Sequence, residues 1–299
     1  MRNLKQVIEE AEKKEIAIGH FNIGTLEYLK AIARAARALH LPVIIGVSEG
    51  EREYLGIHHV ADFVRSYNEE HAEPDGFQLF LNADHTRSLD KIEAAARVGF
   101  DAVLFDGSKL SFEENARLTA EAVRKARGIK KDIITEGELG YIGSSSELLK
   151  EIPEGAAIKS EDLTTPEEAE MFVRETGVDL FAPAVGNLHG MFEKGKNPKL
   201  DIKRIHEIRD AVKVPLVLHG GSGVSDEDFI SAIKAGVRII HISTELRVAW
   251  RRELDKTLKE KPDEIAPAKL LPEVVKAIEE VVTNRLKLFN SNLVKSVDK

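Results

Sequence analysis

Asp84-His85, His189-Gly190 and His219-Gly220 each stand at the end of a short apolar run. Imidazoles brought together from separate stretches of chain are the donor set of a catalytic divalent metal. The chain has no cysteine, so an ion of the zinc type could be held only by imidazole and carboxylate. Three protein ligands with one position left open is the catalytic pattern. A lone histidine at a strand end is more often a satisfied side chain than a ligand, and three in equivalent places alter that balance. His40, His58, His59, His71 and His206 fall on helical or loop stretches and read as solvated, whereas His20 and His241 lie near strand ends and rank behind the three as ligands.

A second chemistry is written in His219-Gly220-Gly221-Ser222-Gly223. Taken alone the run is a turn. It follows a buried strand and precedes a capped helix, so its backbone N–H groups can point at an anion near a helix N-terminus. Ser243-Thr244, after the next strand, would close the same site, which implies a phosphorylated small-molecule substrate.

Residues so far apart can meet only if the fold collects them. Apolar β-type runs recur at 16–21, 42–48, 77–84, 102–107, 132–138, 180–185, 214–220 and 237–242. Between them lie stretches with apolar residues three or four apart, such as Leu26, Leu29, Ile32 and Ala36, or Ile202, Ile205, Ile208 and Val212. Thr165-Pro166-Glu167-Glu168 supplies a capping box with Pro at the first helical position, and Ser225 to Asp228 a weaker one. Nearly continuous Val, Ile, Leu and Phe marks strands buried on both faces, as in parallel sheets. Eight alternations predict one closed (β/α)8 TIM barrel over residues 1–299, with extra C-terminal helices around 246–258 and 274–288 as outer packing or an oligomer contact. Such barrels carry their sites at the C-terminal strand ends, where Asn22, Ser48, Asp84, His85, Asp106, Glu136, Glu138, His189, His219, Ser243 and Thr244 all fall.

Composition excludes much else. With 43 Lys plus Arg against 51 Asp plus Glu in 299 residues, the net charge of −8 disfavours nucleic acid as a partner. No apolar run approaches the roughly 18 residues of a membrane span, and 42% hydrophobic residues argue against disorder. The N-terminus leads into a charged amphipathic segment instead of a signal peptide, so a cytoplasmic protein without membrane partners is expected.

The segments His20-Phe21-Asn22, Asn82-Ala83-Asp84-His85, Phe105-Asp106-Gly107-Ser108, Glu136-Gly137-Glu138-Leu139-Gly140, Gly186-Asn187-Leu188-His189-Gly190, Leu218-His219-Gly220-Gly221-Ser222-Gly223 and Ser243-Thr244-Glu245-Leu246-Arg247 resemble, in order, the motifs of class II, metal-dependent fructose-bisphosphate and tagatose-bisphosphate aldolases. The resemblance covers about residues 1–290. It implies that His85, His189 and His219 bind catalytic zinc and that Asp84 protonates or polarises the aldehyde oxygen. Asp106 and Glu138 would stand near an alternative metal position. Gly190, Gly220, Gly221, Ser222, His241, Ser243 and Thr244 would cradle dihydroxyacetone phosphate, beside a monovalent cation (Na+ or K+), with Asn22 and Ser48 at the same mouth. Zinc would act as a Lewis acid on the enediolate formed when a C1 proton leaves or the C3–C4 bond breaks. The preferred substrate is fructose 1,6-bisphosphate, with tagatose 1,6-bisphosphate, its epimer, as the alternative, in a glycolytic homodimer or homotetramer.

Three departures stand against the family pattern. Gly143-Ser144-Ser145-Ser146-Glu147 replaces a glycine pair and an acidic pair, so the loop glutamate expected to take the C1 proton falls on Ser146, with Glu147 one position late as the candidate. Lys109 replaces a histidine and His241 an asparagine. Lys109 opens a rival Schiff-base route, although a solvated or phosphate-facing lysine is the favoured reading by several to one. A non-catalytic phosphosugar-binding protein and a metal-dependent barrel hydrolase or isomerase are the readings from other classes.

Overall fold

The computed structural model describes residues 1–294 except 75, 144, 145, 153, 157, 195 and 196. Ser144 and Ser145 of the altered loop, and the last five residues of the expected domain, therefore lie outside the described residues. The strands are β1 (Ile18–Asn22), β2 (Pro42–Val47), β3 (Gln78–Thr86), β4 (Ala102–Phe105), β5 (Ile134–Leu139), β6 (Leu148–Leu149), β7 (Leu180–Pro183), β8 (Met191–Phe192), β9 (Leu216–Leu218) and β10 (Val237–Ile242). All but β6 and β8 close a parallel barrel in which β10 returns to pair with β1. The expected (β/α)8 barrel is therefore present, and each of its strands falls on one of the eight apolar runs. The seventh run is trimmed at both ends to β9, because Pro215 lacks a ladder donor and Gly220 turns away at a φ of +60°.

The helices are α1 (Leu4–Lys14), α2 (Leu26–Ala38), α3 (Glu49–Leu55), α4 (Ile57–His71), α5 (Leu89–Val98), α6 (Phe112–Ile129), α7 (Pro166–Thr176), α8 (Ile202–Val212), α9 (Asp226–Ala235), α10 (Thr244–Glu260), α11 (Pro267–Phe289) and α12 (Ser291–Val294). Thr165 and Glu168 form the full capping box at the start of α7, and the Ser225 hydroxyl caps α9. Of the two C-terminal patterns, α11 is the outer packing. It buries Val274, Val275, Ile278, Val282, Leu286 and Phe289 against α2, α9 and β1, and so completes the helical ring. By contrast α10 buries only Thr244, Leu246 and Thr257 and rides outside it. Among the described residues no helix is long and apolar enough to cross a membrane.

Two apolar layers result. One lies between sheet and helices. The other fills the N-terminal end of the barrel interior, where Ile18, Ile44, Phe80, Ile134, Leu180, Val217 and Ile239 meet Leu4, Val7, Ile8 and Ala11 of α1. Helix α1 thus plugs the bottom, anchored by a reciprocal Asn3–Gln6 capping box. Above this layer, near the C-terminal ends of the strands, the interior residues turn polar.

Candidate active site

Asp84 and His85 leave the end of β3, His189 and Gly190 follow β7, and His219 follows β9. Ring nitrogens of His85, His189 and His219 lie within 4.8 Å of one another. Each ring has one nitrogen held by an oxygen. His85 Nδ1 is 3.2 Å from Asp106 Oδ2, His189 Nδ1 donates to the Gly143 carbonyl at 2.8 Å, and His219 Nε2 is 2.6 Å from Glu136 Oε1. The other nitrogens of His85 and His219, Nε2 and Nδ1, face each other at 3.2 Å. This is the arrangement of metal-ligating histidines, whose outer nitrogen is fixed by a carboxylate or carbonyl while the inner one is left for the ion.

The electrostatics agree with the donor set. Burial, reinforced by the charge of His85, pushes His189 and His219 down to about 3, which leaves both neutral at physiological pH. Burial also acts to lower His85, yet Asp84, Asp106 and Glu138 around it outweigh that and hold it well above its ordinary value. His85 is therefore the cation of the metal-free cluster. Asp84 and Asp106 stay well below the usual carboxylate range because burial is outweighed, at Asp84 by the His85 charge and the Asn22 hydrogen bond, and at Asp106 by the hydrogen bond and charge of His85 and the bonds from Ser108. Burial raises Glu136 to about 8 and Glu138 well above its ordinary value.

Asp84 is a buried carboxylate lining the cavity. Asn22 donates to its Oδ2 at 2.9 Å, while its buried Oδ1 has no hydrogen-bond partner among the described residues and lies 3.7 Å from His241 Nδ1 and 3.8 Å from His85 Nε2. Asp106, Glu138 and His85 form a second group of possible ligands within 4.8 Å, and Glu138 Oε2 is buried without a partner. Ser48 caps α3 at the rim, and Glu147 is exposed at the edge of the cavity. Lys109 is exposed too, its Nζ 5.1 Å from the Tyr141 ring centre.

The cavity, about 640 Å³, reaches from these groups to the start of α10. Among the described residues no hydrogen bond occupies the amides of Gly190, Gly220, Ser222 and Thr244. The Ser243 hydroxyl is buried and unpaired at the same helix N-terminus. Free amides gathered at a helix N-terminus are a group of donors that could receive an anion. Gly221 is a correction to the expected cradle, because its amide donates to the His241 carbonyl at 3.1 Å. It is glycine because a Cβ there would lie 2.7 Å from that same oxygen.

Some of the site was missed. His20 and His241 are register partners on β1 and β10, and their rings stack 3.4 Å apart, 3° from parallel, with burial lowering His20 to about 4. Room for the stack comes from Gly46, where a Cβ would lie 2.0 Å from the His20 ring. Glu136 was noted on its strand without a role; its separation of two from Glu138 puts both on the inner face. The loop after β5 is tied to the one after β7. β6 pairs with β8, Met191 donates to the Glu147 carbonyl at 3.1 Å, and Arg247 of α10 joins the Ser146 carbonyl to Glu51.

Residues 2–293 match the family described as fructose-bisphosphate aldolase class-II. The fructose-bisphosphate aldolase of Geobacillus stearothermophilus is 34% identical over 97% of both chains, and that of Staphylococcus aureus strain Mu50 is 32% identical over the same shares. The crystal structure of the YdjI aldolase from Escherichia coli K12 superposes with a TM-score of 0.78 at 32% identity, covering 97% of each chain. A match over nearly the whole length, arriving at a barrel whose histidines already converge, places this chain in the class II fructose-bisphosphate aldolase family of lyases.

Proposed function

We propose that the chain reversibly cleaves fructose 1,6-bisphosphate into dihydroxyacetone phosphate and glyceraldehyde 3-phosphate, as a cytoplasmic homo-oligomer using zinc. The observation that carries this reading is the triad in which His85, His189 and His219 each have the outer nitrogen fixed, beside four unbonded amides. Those three rings would hold the ion, with Asp106 and Glu138 as an alternative position. Once bound, the metal supplies a Lewis acid that draws electron density from the substrate's ketone.

The chain's own groups do the rest. The amides of Gly190, Gly220, Ser222 and Thr244 take the phosphate next to the ketone. In cleavage Asp84 Oδ1 accepts the C4 hydroxyl proton as the C3–C4 bond breaks, C4 becomes the aldehyde and the electron pair stays on C3. Asn22 on the other oxygen keeps Asp84 aimed. Glu147 then gives a proton to C3, the C1 of dihydroxyacetone phosphate, and removes it in the reverse direction. Exposure of Lys109 weighs against a Schiff base, which is favoured by a desolvated lysine.

Steady-state cleavage of fructose and tagatose bisphosphates by zinc-loaded protein tests the proposal. Chelator should abolish turnover, and borohydride with substrate should trap nothing. Turnover that survives chelation, or a borohydride adduct at Lys109, would overturn it, and zinc and sugar-phosphate binding without bond cleavage or C1 proton exchange would favour a binding protein. Preference for the tagatose epimer would reassign the substrate within the family.

A further inference from the structure

Asp84 and His85 are neighbours, and in a regular strand neighbours point to opposite faces. Both nevertheless serve the same cavity. The pairing of β3 explains how. Ala83 pairs with Val103 and Thr86 with Phe105, three steps on one strand against two on the other, so β3 carries one extra residue there. This bulge holds Asp84 and His85, with His85 at a φ of +40°. Neither residue has a register partner in β4, and the pairing of β2 with β3 ends at Val47 and Ala83.

A bulge frees backbone groups from the ladder, and one side chain meets them. Arg52 of α3 is 5% exposed. Its Nη1 donates to the carbonyls of Val47 at 2.5 Å and Asp84 at 3.2 Å, and its Nη2 donates to Thr86 Oγ1 at 2.6 Å. The Thr86 hydroxyl in turn donates to the Ala83 carbonyl at 3.3 Å, so one planar fork grips both ends of the bulge and the tip of β2. Among the described residues no carboxylate lies within ion-pair distance of Arg52. Burial disfavours its charge and the carboxylates of Asp84, Glu49, Glu51 and Glu53 favour it from a distance, while its direct hydrogen bonds go to two carbonyls and the Thr86 hydroxyl.

We propose that Arg52 is a positioning residue that sets the Asp84–His85 bulge and so aims both side chains into the cavity. The proposal rests on the roles given to Asp84 and His85 above. Arg52 touches neither substrate nor metal, and the amides for the phosphate are on other loops.

Arg52→Met is the main test. It should weaken zinc binding, measured against a competing chromophoric chelator, by about 10–100-fold, as loss of an outer support does. At saturating zinc kcat should fall while KM for the bisphosphate stays within about twofold, since the phosphate cradle is untouched. Arg52→Lys, which can still reach the Val47 and Asp84 carbonyls, should recover much of both, and Thr86→Val should lie between. A crystal structure of Arg52→Met should show the Ala83-to-Thr86 register or the His85 backbone changed, a readout that needs neither metal nor turnover. An Arg52→Met protein with wild-type zinc affinity, kcat and bulge would overturn the proposal. If that variant does not fold, folded Arg52→Lys and Thr86→Val proteins that both match wild type would do so. Failure of the wild-type protein to bind zinc would instead overturn the functional reading, leaving the crystal structure to judge the clamp.

Discussion

The two ends of one barrel interior follow opposite rules. At the N-terminal end Ile18, Ile44, Phe80, Ile134 and Ile239 meet an amphipathic plug in a mainly apolar layer, and the buried Gln78 at its edge is hydrogen-bonded to the Arg2 backbone. At the C-terminal end the same strands bury His20, Asp84, Glu136, Glu138, His219 and His241, several of them with atoms that have no hydrogen-bond partner. Burial of unpaired polar groups destabilises, so the upper end must draw its support from the lower one. The contrast assigns folding to one end and chemistry to the other.

Substitutions should separate the ends, and the largest effects belong to the top. His219→Ala should abolish zinc binding and turnover, and it should destabilise the metal-free protein by about 1–3 kcal/mol because it strips the buried Glu136 carboxyl of its hydrogen-bond partner. Asp84→Ala should keep the metal, measured by elemental analysis, and lose roughly 10²–10⁴-fold in kcat. A folded Asp84→Ala enzyme with near-normal rates would remove the carboxylate from the mechanism. Phe80→Ala at the bottom should cost about 3–5 kcal/mol of stability and leave zinc affinity unchanged in whatever remains folded. A loss of affinity in that variant would show that the two ends are coupled.

Acid should act most on the top, although carboxylates held low elsewhere, such as Glu10 of the plug beside Lys14 and Arg2, add to the loss at low pH. His20, His189 and His219, lowered to about 4, 3 and 3, and His241, also lowered, refuse protons that the unfolded chain takes up near pH 6.5. Stability of the metal-free protein should therefore fall as pH drops below about 6.5. Glu136, raised to about 8, and Glu138 oppose this while the unfolded glutamates remain ionised, so the decline should steepen below about pH 4.3. Asp84 and Asp106, held low, add to it there. His85, held high, adds no slope below pH ~6.5, because both states are then protonated. Urea unfolding at descending pH checks this, and stability that rises on acidification would contradict it. The smallest effect is at the plug, where Asn3→Ala should cost about 1 kcal/mol through the lost cap, read as a shift in Tm with kcat unchanged.

The barrel was legible because strands buried on both faces must be written as unbroken apolar runs, and the convergence of His85, His189 and His219 because such barrels bring their strand ends together. What escaped depends on pairing across the chain. The stack of His20 on His241 exists only because the first strand meets the last, 221 residues apart as their numbers give, with Gly46 leaving room for the ring. Arg52 escaped for the same reason, since the bulge it grips is a matter of register and not of composition. Gly221 was assigned to the phosphate on its motif, whereas the backbone turn there directs its amide to His241.

The short ribbon of β6 and β8 has a mechanical consequence. The Glu147 carbonyl is pinned to Met191 and the His189 ring to Gly143, so the proposed proton donor and one proposed metal ligand ride on a single stitched flap. Were this ribbon to open during turnover, the bond from His189 to the Gly143 carbonyl would carry its displacement to the imidazole.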